Sequence, residues 1–291
     1  MGVSLSRLWW LGVGLLGGLG AGALGYVSWR WVHPGRWPSP SAGLRGEEFY
    51  FSSLDGLRLR GLWLPGREGW PVVLLCHGYF RSLAEPYDLG LHLNDLGYNV
   101  LLFDFRGCGK SEGSWTTLGA QETLDVLAAV RAARERAPGV AIGLLGISMG
   151  GAAAIMAAAR CPDIGAVVAD SAYPDLNRLL ERRARQWAPW PPLLGAARVS
   201  LRLGELLAGF RAREVRPVDW VGRIAPRPVL FICGDCDSFV PLEQCLELYE
   251  RAGEPKELWV VPNCHHALAR LDCPDEYCQR VGDFFRRYLG P

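Results

Sequence analysis

The chain lacks an excess of charge of either sign. Its 31 Lys and Arg residues nearly balance 30 Asp and Glu, leaving a formal charge of +1 at pH 7. Proteins that bind nucleic acid by neutralising phosphates need a basic surplus, so the balance argues against that class of partner. A glycine-rich phosphate loop is missing, and so is a His/Cys cluster at metal-ligand spacing. Cys233-Gly-Asp-Cys236 has C-x-x-C spacing, but no second pair or His pair lies at zinc-finger distance. No cofactor and no metal is expected. The nine cysteines are odd in number and fix no compartment. Cys76 and Cys161 adjoin apolar runs and read as small core residues. What the chain does have is apolar material: 49% hydrophobic residues over 291 positions, enough for one sizeable α/β core with additions.

The first apolar feature is the uncharged run Leu8 to Trp29, 22 residues long. At about 1.5 Å per residue, such a helix spans the ~30 Å hydrocarbon core of a bilayer. Trp9 and Trp10 flank one end; Tyr26, Trp29 and Trp31 flank the other, as in an interfacial aromatic belt. Gly14, Gly18 and Gly22 fall on one helix face, where a second helix could approach closely. A cleaved secretory signal is the rival reading, with Arg7 as its basic start and Ala21-Gly-Ala23 as its cleavage site. The apolar run continues to Val32, which favours an uncleaved anchor. The expectation is a single-pass cell-membrane protein. Its side stays open, because Arg7 and the terminal amine oppose Arg30, Arg36 and Arg45. Residues 1–33 then form the anchor, and 34–46, with Pro34, Pro38 and Pro40, a linker.

Residues 47–291 alternate strand and helix patterns. Glu47 to Ser53 and Leu57 to Leu64 read as a hairpin about Asp55-Gly56. Apolar strands are predicted at Val72–Cys76, Asn99–Asp104, Val140–Leu145, Ala166–Ala169, Pro228–Cys233 and Glu257–Val261. Helices are predicted at Glu85–Leu96, Leu118–Ala137, Met149–Ala159 and Pro274–Leu289. This rhythm implies a mostly parallel sheet covered on both faces. Reactive residues in such sheets collect at the carboxyl ends of the strands. The stretch 171–227 interrupts the rhythm. Its length predicts a helical lid over the site. It carries Trp187, Trp190 and eleven Arg against five acids, a surface suited to rest on anionic headgroups.

The chemistry centres on Gly146-Ile-Ser148-Met-Gly150. An apolar strand precedes it and an Ala-rich helix follows. A nucleophilic serine needs this context: a tight turn projects its hydroxyl, and flanking glycines let strand and helix pass. The helix N-terminus behind it favours an oxyanion. A serine hydroxyl also needs a base, and the base an orienting carboxylate. His265 and His266 follow the last strand. Asp235, Asp237 and Asp170 follow others, so Ser…Asp…His order holds.

These motifs resemble the α/β-hydrolase family, near the membrane-anchored bacterial hydrolases with serine aminopeptidase-like and carboxylesterase-like domains. The similarity runs from about Glu47 to the C-terminus. It is carried by His77-Gly78, Asp104-x-Arg106-Gly-x-Gly-x-Ser111, Gly146-x-Ser148-x-Gly150, Gly234-x-x-Asp237-x-x-Val240-Pro241 and His266-Ala267. The resemblance implies Ser148 as nucleophile, His266 as base then acid, and Asp237 as its orienter. It implies oxyanion donors at the backbone N–H groups of Met149 and of Tyr79 or Phe80, with Asp104 and Arg106 bracing loops. The sequence departs from the family in placing His265 where a small residue usually stands, so the two histidines remain alternatives. The implied activity is hydrolysis of a carboxylic ester or related acyl bond of a small-molecule substrate. An aminopeptidase-like peptidase and an inactive binding or scaffold protein are the other readings.

Overall fold

The computed structural model describes residues 20–33, 35–37 and 43–290. Helix α1 covers residues 20–32. The hairpin strands follow as β1 (Glu47–Ser52) and β2 (Arg58–Leu64). Next come β3 (Val72–Cys76), α2 (Tyr87–Leu96), β4 (Asn99–Phe103), α3 (Glu122–Arg136), β5 (Ile142–Ile147), α4 (Met149–Ala158) and β6 (Ile164–Asp170). The lid contributes α5 (Leu176–Trp187) and α6 (Pro191–Ala208), then three short 3-10 turns. The chain closes with β7 (Val229–Gly234), α7 (Leu242–Arg251), β8 (Lys256–Val261), α8 (Ala269–Asp272) and α9 (Pro274–Leu289).

The eight strands form one sheet in the order β1-β2-β4-β3-β5-β6-β7-β8. β1 pairs antiparallel with β2, and β2 with β4; every later pairing is parallel. The central strands are buried on both faces, which is why β3 and β5 are continuous apolar runs. Successive side chains still part to opposite faces. Leu74 and Leu144 join the layer under α3 and α4, whereas Leu75 and Leu145 join the layer under α2 and α9. The strand order reverses between β3 and β5. Their carboxyl ends, Cys76 and Ile147, therefore border the crevice where ligands bind in open α/β sheets.

Helix bounds shift in places. Helix α3 starts at Glu122 rather than Leu118, because the Glu122 carboxylate accepts the N–H groups of Thr117 and Gly119 at 2.8 Å each. Leu118 takes a left-handed conformation there, with φ 52°. The membrane-spanning helix expected over residues 8–29 falls largely outside the described residues. Residues 8–19 of that run lie outside the described residues, as do Gly14 and Gly18. Among the described residues no helix is long and apolar enough to cross a membrane. The described remainder, α1, docks on the rest of the fold: Ser28 and Val32 are fully buried, and the Thr116 N–H donates to the Val32 carbonyl at 2.8 Å. Residues assigned to the anchor thus reach into the lid and the core.

Candidate active site

Ser148 sits at the turn between β5 and α4 with φ 54° and ψ −111°. No unstrained non-glycine residue adopts this conformation, so the surroundings must impose it. Two glycines do so. A Cβ on Gly150 would lie 2.6 Å from the His77 carbonyl oxygen, and one on Gly146 2.6 Å from the Gly151 nitrogen. Only bare Cα atoms let the helix start this close to both strands. The Ser148 N–H donates to the Asp170 carbonyl at 2.7 Å, tying the turn to β6.

His266 and Asp237 come to the same place from two loops. Ser148 Oγ lies 2.9 Å from His266 Nε2, and His266 Nδ1 lies 2.6 Å from Asp237 Oδ2. An ionised carboxylate accepts only, so Nδ1 carries the proton and Nε2 presents its lone pair to the serine hydroxyl. The other oxygen of Asp237 accepts the N–H groups of Phe239 and Val240 at 2.8 Å each, which fixes the carboxylate. Asp237 is buried, while the His266 side chain is 24% exposed. The Phe239 ring lies 4.8 Å from the imidazole, and Arg183 of α5 sits 4.6 Å over the same ring. The lid is thereby tied to the acid loop. Burial lowers the Arg183 pKa from its ordinary value.

His265 points elsewhere. Its Nδ1 meets the Cys236 carbonyl at 3.0 Å, on the exposed side of the loop. Asp170 also stands outside the serine–histidine chain. Its oxygens accept the Ser171 and Tyr277 hydroxyls, each at 2.9 Å. Full burial pushes its pKa up to about 6, against the lowering effect of those hydroxyls and of His266. Asp235 and Cys236 belong to the turn after β7. Cys233 forms a disulfide with Cys245, with Cα atoms 6.4 Å apart, so the C-x-x-C spacing does not set the pairing. Among the described residues no group of three or more His, Cys, Asp or Glu could hold a metal ion.

Met149 begins α4, and its N–H is one of the free donors of a helix start. Neither it nor the Tyr79 N–H donates to an acceptor among the described residues. The Tyr79 loop is braced from behind. His77 is fully buried; its Nδ1 donates to the Gly78 carbonyl at 2.7 Å and its Nε2 accepts the Phe105 N–H at 3.0 Å. Those two bonds fix a neutral tautomer, and burial lowers the pKa in the same sense. Asp104 accepts the N–H groups of Leu83 and Lys110, and Arg106 joins Asp55 to the buried Asp125. Both brace loops.

Three contributors escape sequence reasoning. Glu85 was expected at the start of a helix but lies ahead of it, accepting the Gly78 N–H at 2.6 Å and Arg270 at 3.3 Å. It joins the Tyr79 loop to the segment after His266. Ser171 accepts the Ala267 N–H at 3.1 Å, beside the histidine. Tyr277 reaches Asp170 from α9. Each is a single polar residue in an unremarkable stretch, without a motif to announce it.

Over Ser148 lies a cavity of about 230 Å³. Its walls come from the Tyr79 loop, α5, α6, the start of α4 and, unexpectedly, α1 through Val27 and Trp31. The lid thus stands over the serine, formed by the two helices of the 171–227 insert.

Known proteins are similar to this chain. A family model described as alpha/beta hydrolase fold matches residues 71–203, the part carrying His77 and Ser148. The protein YqkD of Bacillus subtilis (strain 168) is 31% identical over 243 residues, covering 81% of this chain and 78% of its own. The thiohydrolase aneE of Aspergillus aculeatus is 26% identical over 277 residues, covering 76% and 86%. Among solved structures, the Pyrococcus furiosus esterase Pf2001 superposes with a TM-score of 0.75 at 31% identity, covering 90% of this chain and 99% of its own. With relatives of this identity over most of its length, the chain belongs to the alpha/beta hydrolase fold family.

Proposed function

We propose that the protein is a serine hydrolase cleaving a carboxylic ester or related acyl bond. The observation that carries this is the hydrogen-bonded chain from Ser148 through His266 to Asp237, at 2.9 and 2.6 Å. His266 Nε2 takes the hydroxyl proton as Ser148 Oγ bonds to the acyl carbon. The carbonyl oxygen becomes an oxyanion facing the N–H groups of Met149 and Tyr79. Collapse of that intermediate breaks the bond to the leaving group, which receives the proton from His266. Water then adds to the acyl-enzyme, giving its proton to His266, and the acid departs as Ser148 recovers its own. Asp237 stabilises the imidazolium at both stages. The names of the esterase Pf2001 and the thiohydrolase aneE support oxygen and sulfur esters as the substrate class.

The cavity favours an ester over an N-terminal peptide. A buried α-ammonium needs a carboxylate partner, and Arg183 is the one charged side chain among the lining residues. An inactive scaffold would have no need of a strained serine turn held against an imidazole. Ser148→Ala should abolish both labelling by a fluorophosphonate probe and turnover of short p-nitrophenyl esters. Retained wild-type turnover would remove the nucleophile assignment. Membrane attachment belongs to the same proposal on the sequence of residues 8–29 alone. Full-length protein should stay in the pellet after an alkaline carbonate wash, and its release into the supernatant would end that part.

A further inference from the structure

We propose that α1 is part of the substrate site: through Val27 and Trp31 it forms a wall of the cavity over Ser148 and restricts the enzyme to short and medium aliphatic chains. This rests on the serine hydrolase reading for its chemistry, but not for its geometry. Helix α1 is fastened to two other walls of the same cavity. On the lid side, Ser28 Oγ donates to Ser200 Oγ at 3.1 Å in a buried contact, and Trp31 Nε1 donates to the Ser200 carbonyl at 3.3 Å. On the catalytic side, the Tyr79 hydroxyl donates to the Trp31 carbonyl. Trp31 is wedged against α6 where Gly204 leaves room for it. A Cβ on Gly204 would stand 2.7 Å from Trp31 Nε1.

The chemistry of the walls selects the ligand. Every hydroxyl among the α1, α6 and core lining already has a partner: Ser200 with Ser28, Tyr79 with Trp31, and Tyr173 with the Leu118 carbonyl. Arg183 lies between Trp187 and Phe239, 4.6 Å from each ring. Arg183 Nε is the one buried lining donor without a hydrogen-bond partner, so away from it a polar chain would lose water without a replacement bond. An alkyl chain loses nothing. The cavity is small, about 230 Å³, and Val27 and Trp31 bound it on the α1 side, so the length of chain it accepts depends on them.

Hydrolysis of p-nitrophenyl esters from acetate to dodecanoate tests this, together with calorimetric binding of octanoate and dodecanoate to Ser148→Ala. Val27 is 54% exposed, so Val27→Trp should fold while filling the cavity. It should lower the octanoate-to-acetate ratio of kcat/KM by about tenfold, the discrimination expected for apolar groups in a pocket. Trp31→Ala should raise the dodecanoate-to-butyrate ratio by a similar factor, and Trp31→Ala/Ser148→Ala should gain affinity for dodecanoate. Chain-length ratios and affinities unmoved by both variants, with Ser148 still labelled, would overturn the proposal. Binding cut-offs that shift while no ester is turned over would uphold the wall and remove the hydrolase reading instead.

Discussion

The carboxyl edge of the sheet and the lid above it face each other across one cavity, yet different forces hold them. At the edge, Asp237, Asp170, His77 and Asp104 are buried, and each meets backbone or hydroxyl partners at hydrogen-bond distance. Glycines without room for a Cβ lock the turn. On the lid, all five acids pair with arginines in contacts that keep at least one partner substantially exposed. Trp187, Trp190 and Leu206 stay 72%, 62% and 77% exposed. Buried polar networks tolerate little change, because a lost partner leaves a desolvated group unsatisfied. Exposed ion pairs tolerate much more. The hydrogen-bonded Ser148, His266 and Asp237 thus stand on the densely bonded edge, and the other cavity walls come from elements held largely by exposed contacts.

The strongest way to break this comparison is within one loop. His266 belongs to the buried network; its neighbour His265 touches the exposed Cys236 carbonyl. His266→Gln should lower kcat/KM on a short ester by about 10⁴-fold or more, and Asp237→Asn by about 10⁴-fold. His265→Gln should lower it by less than about threefold, because its ring makes no contact with Ser148. Steady-state rates with matched melting temperatures would check this. Equal losses for the two histidines would mean that placement at the edge does not separate chemistry from surface.

A smaller effect is expected one layer behind. Asp170 positions Ser171, which in turn holds the Ala267 N–H beside His266. Its carboxyl is raised to about 6 from an ordinary value of 3.8. With the folded pKa above the unfolded one, the folded state holds the extra proton between those values. Stability from this group is therefore complete below about pH 4 and is lost as pH rises through about 6. The difference of about two pH units corresponds to ~3 kcal/mol against folding at neutral pH. Asp170→Asn keeps the shape and removes the charge. Relative to the parent, its melting temperature should climb between pH 4 and pH 7, while kcat/KM falls by less than about tenfold. A pH-independent difference between the two would show that the carboxyl is not titrating in the fold.

The edge was far more legible in the sequence than the lid and α1. Strands β3 and β5 announce themselves because burial on both faces demands unbroken apolar runs. Gly146 and Gly150 are legible because a tight turn admits nothing larger. The choice of His266 over His265 was legible only through the His266-Ala267 match, since adjacent residues in a loop point apart for reasons set by Cys236 and Asp237 in another segment. The partner of Cys233 was hidden similarly: Cys245 lies 12 residues on, beyond the C-x-x-C spacing. The docking of α1 was hidden for a physical reason. A helix that buries apolar residues against a lid and one that buries them in lipid show the same uncharged run. The buried Ser28 and the close fit of Trp31 to Gly204 become visible only once the partner is in view.

The least effect should come from the lid surface. Arg198 of α6 pairs with Glu181 of α5, and their side chains are 48% and 32% exposed. The pair lowers the Glu181 pKa and raises that of Arg198, through the hydrogen bond first. Water and salt screen such contacts, and holding two long side chains in one geometry offsets part of the attraction. Arg185 also reaches Glu181, at 3.0 Å, and remains when Arg198 is removed. Arg198→Ala should therefore shift the melting temperature by less than about 2 °C, and by less still in 0.5 M salt. Ester turnover should stay within about twofold of the parent, because the pair lies outside the cavity walls. A tenfold loss of kcat/KM with an unchanged melting temperature would show that the α5–α6 contact sets the geometry at Ser148. The lid would then belong to the rigid machinery, and the division between the two regions would fail.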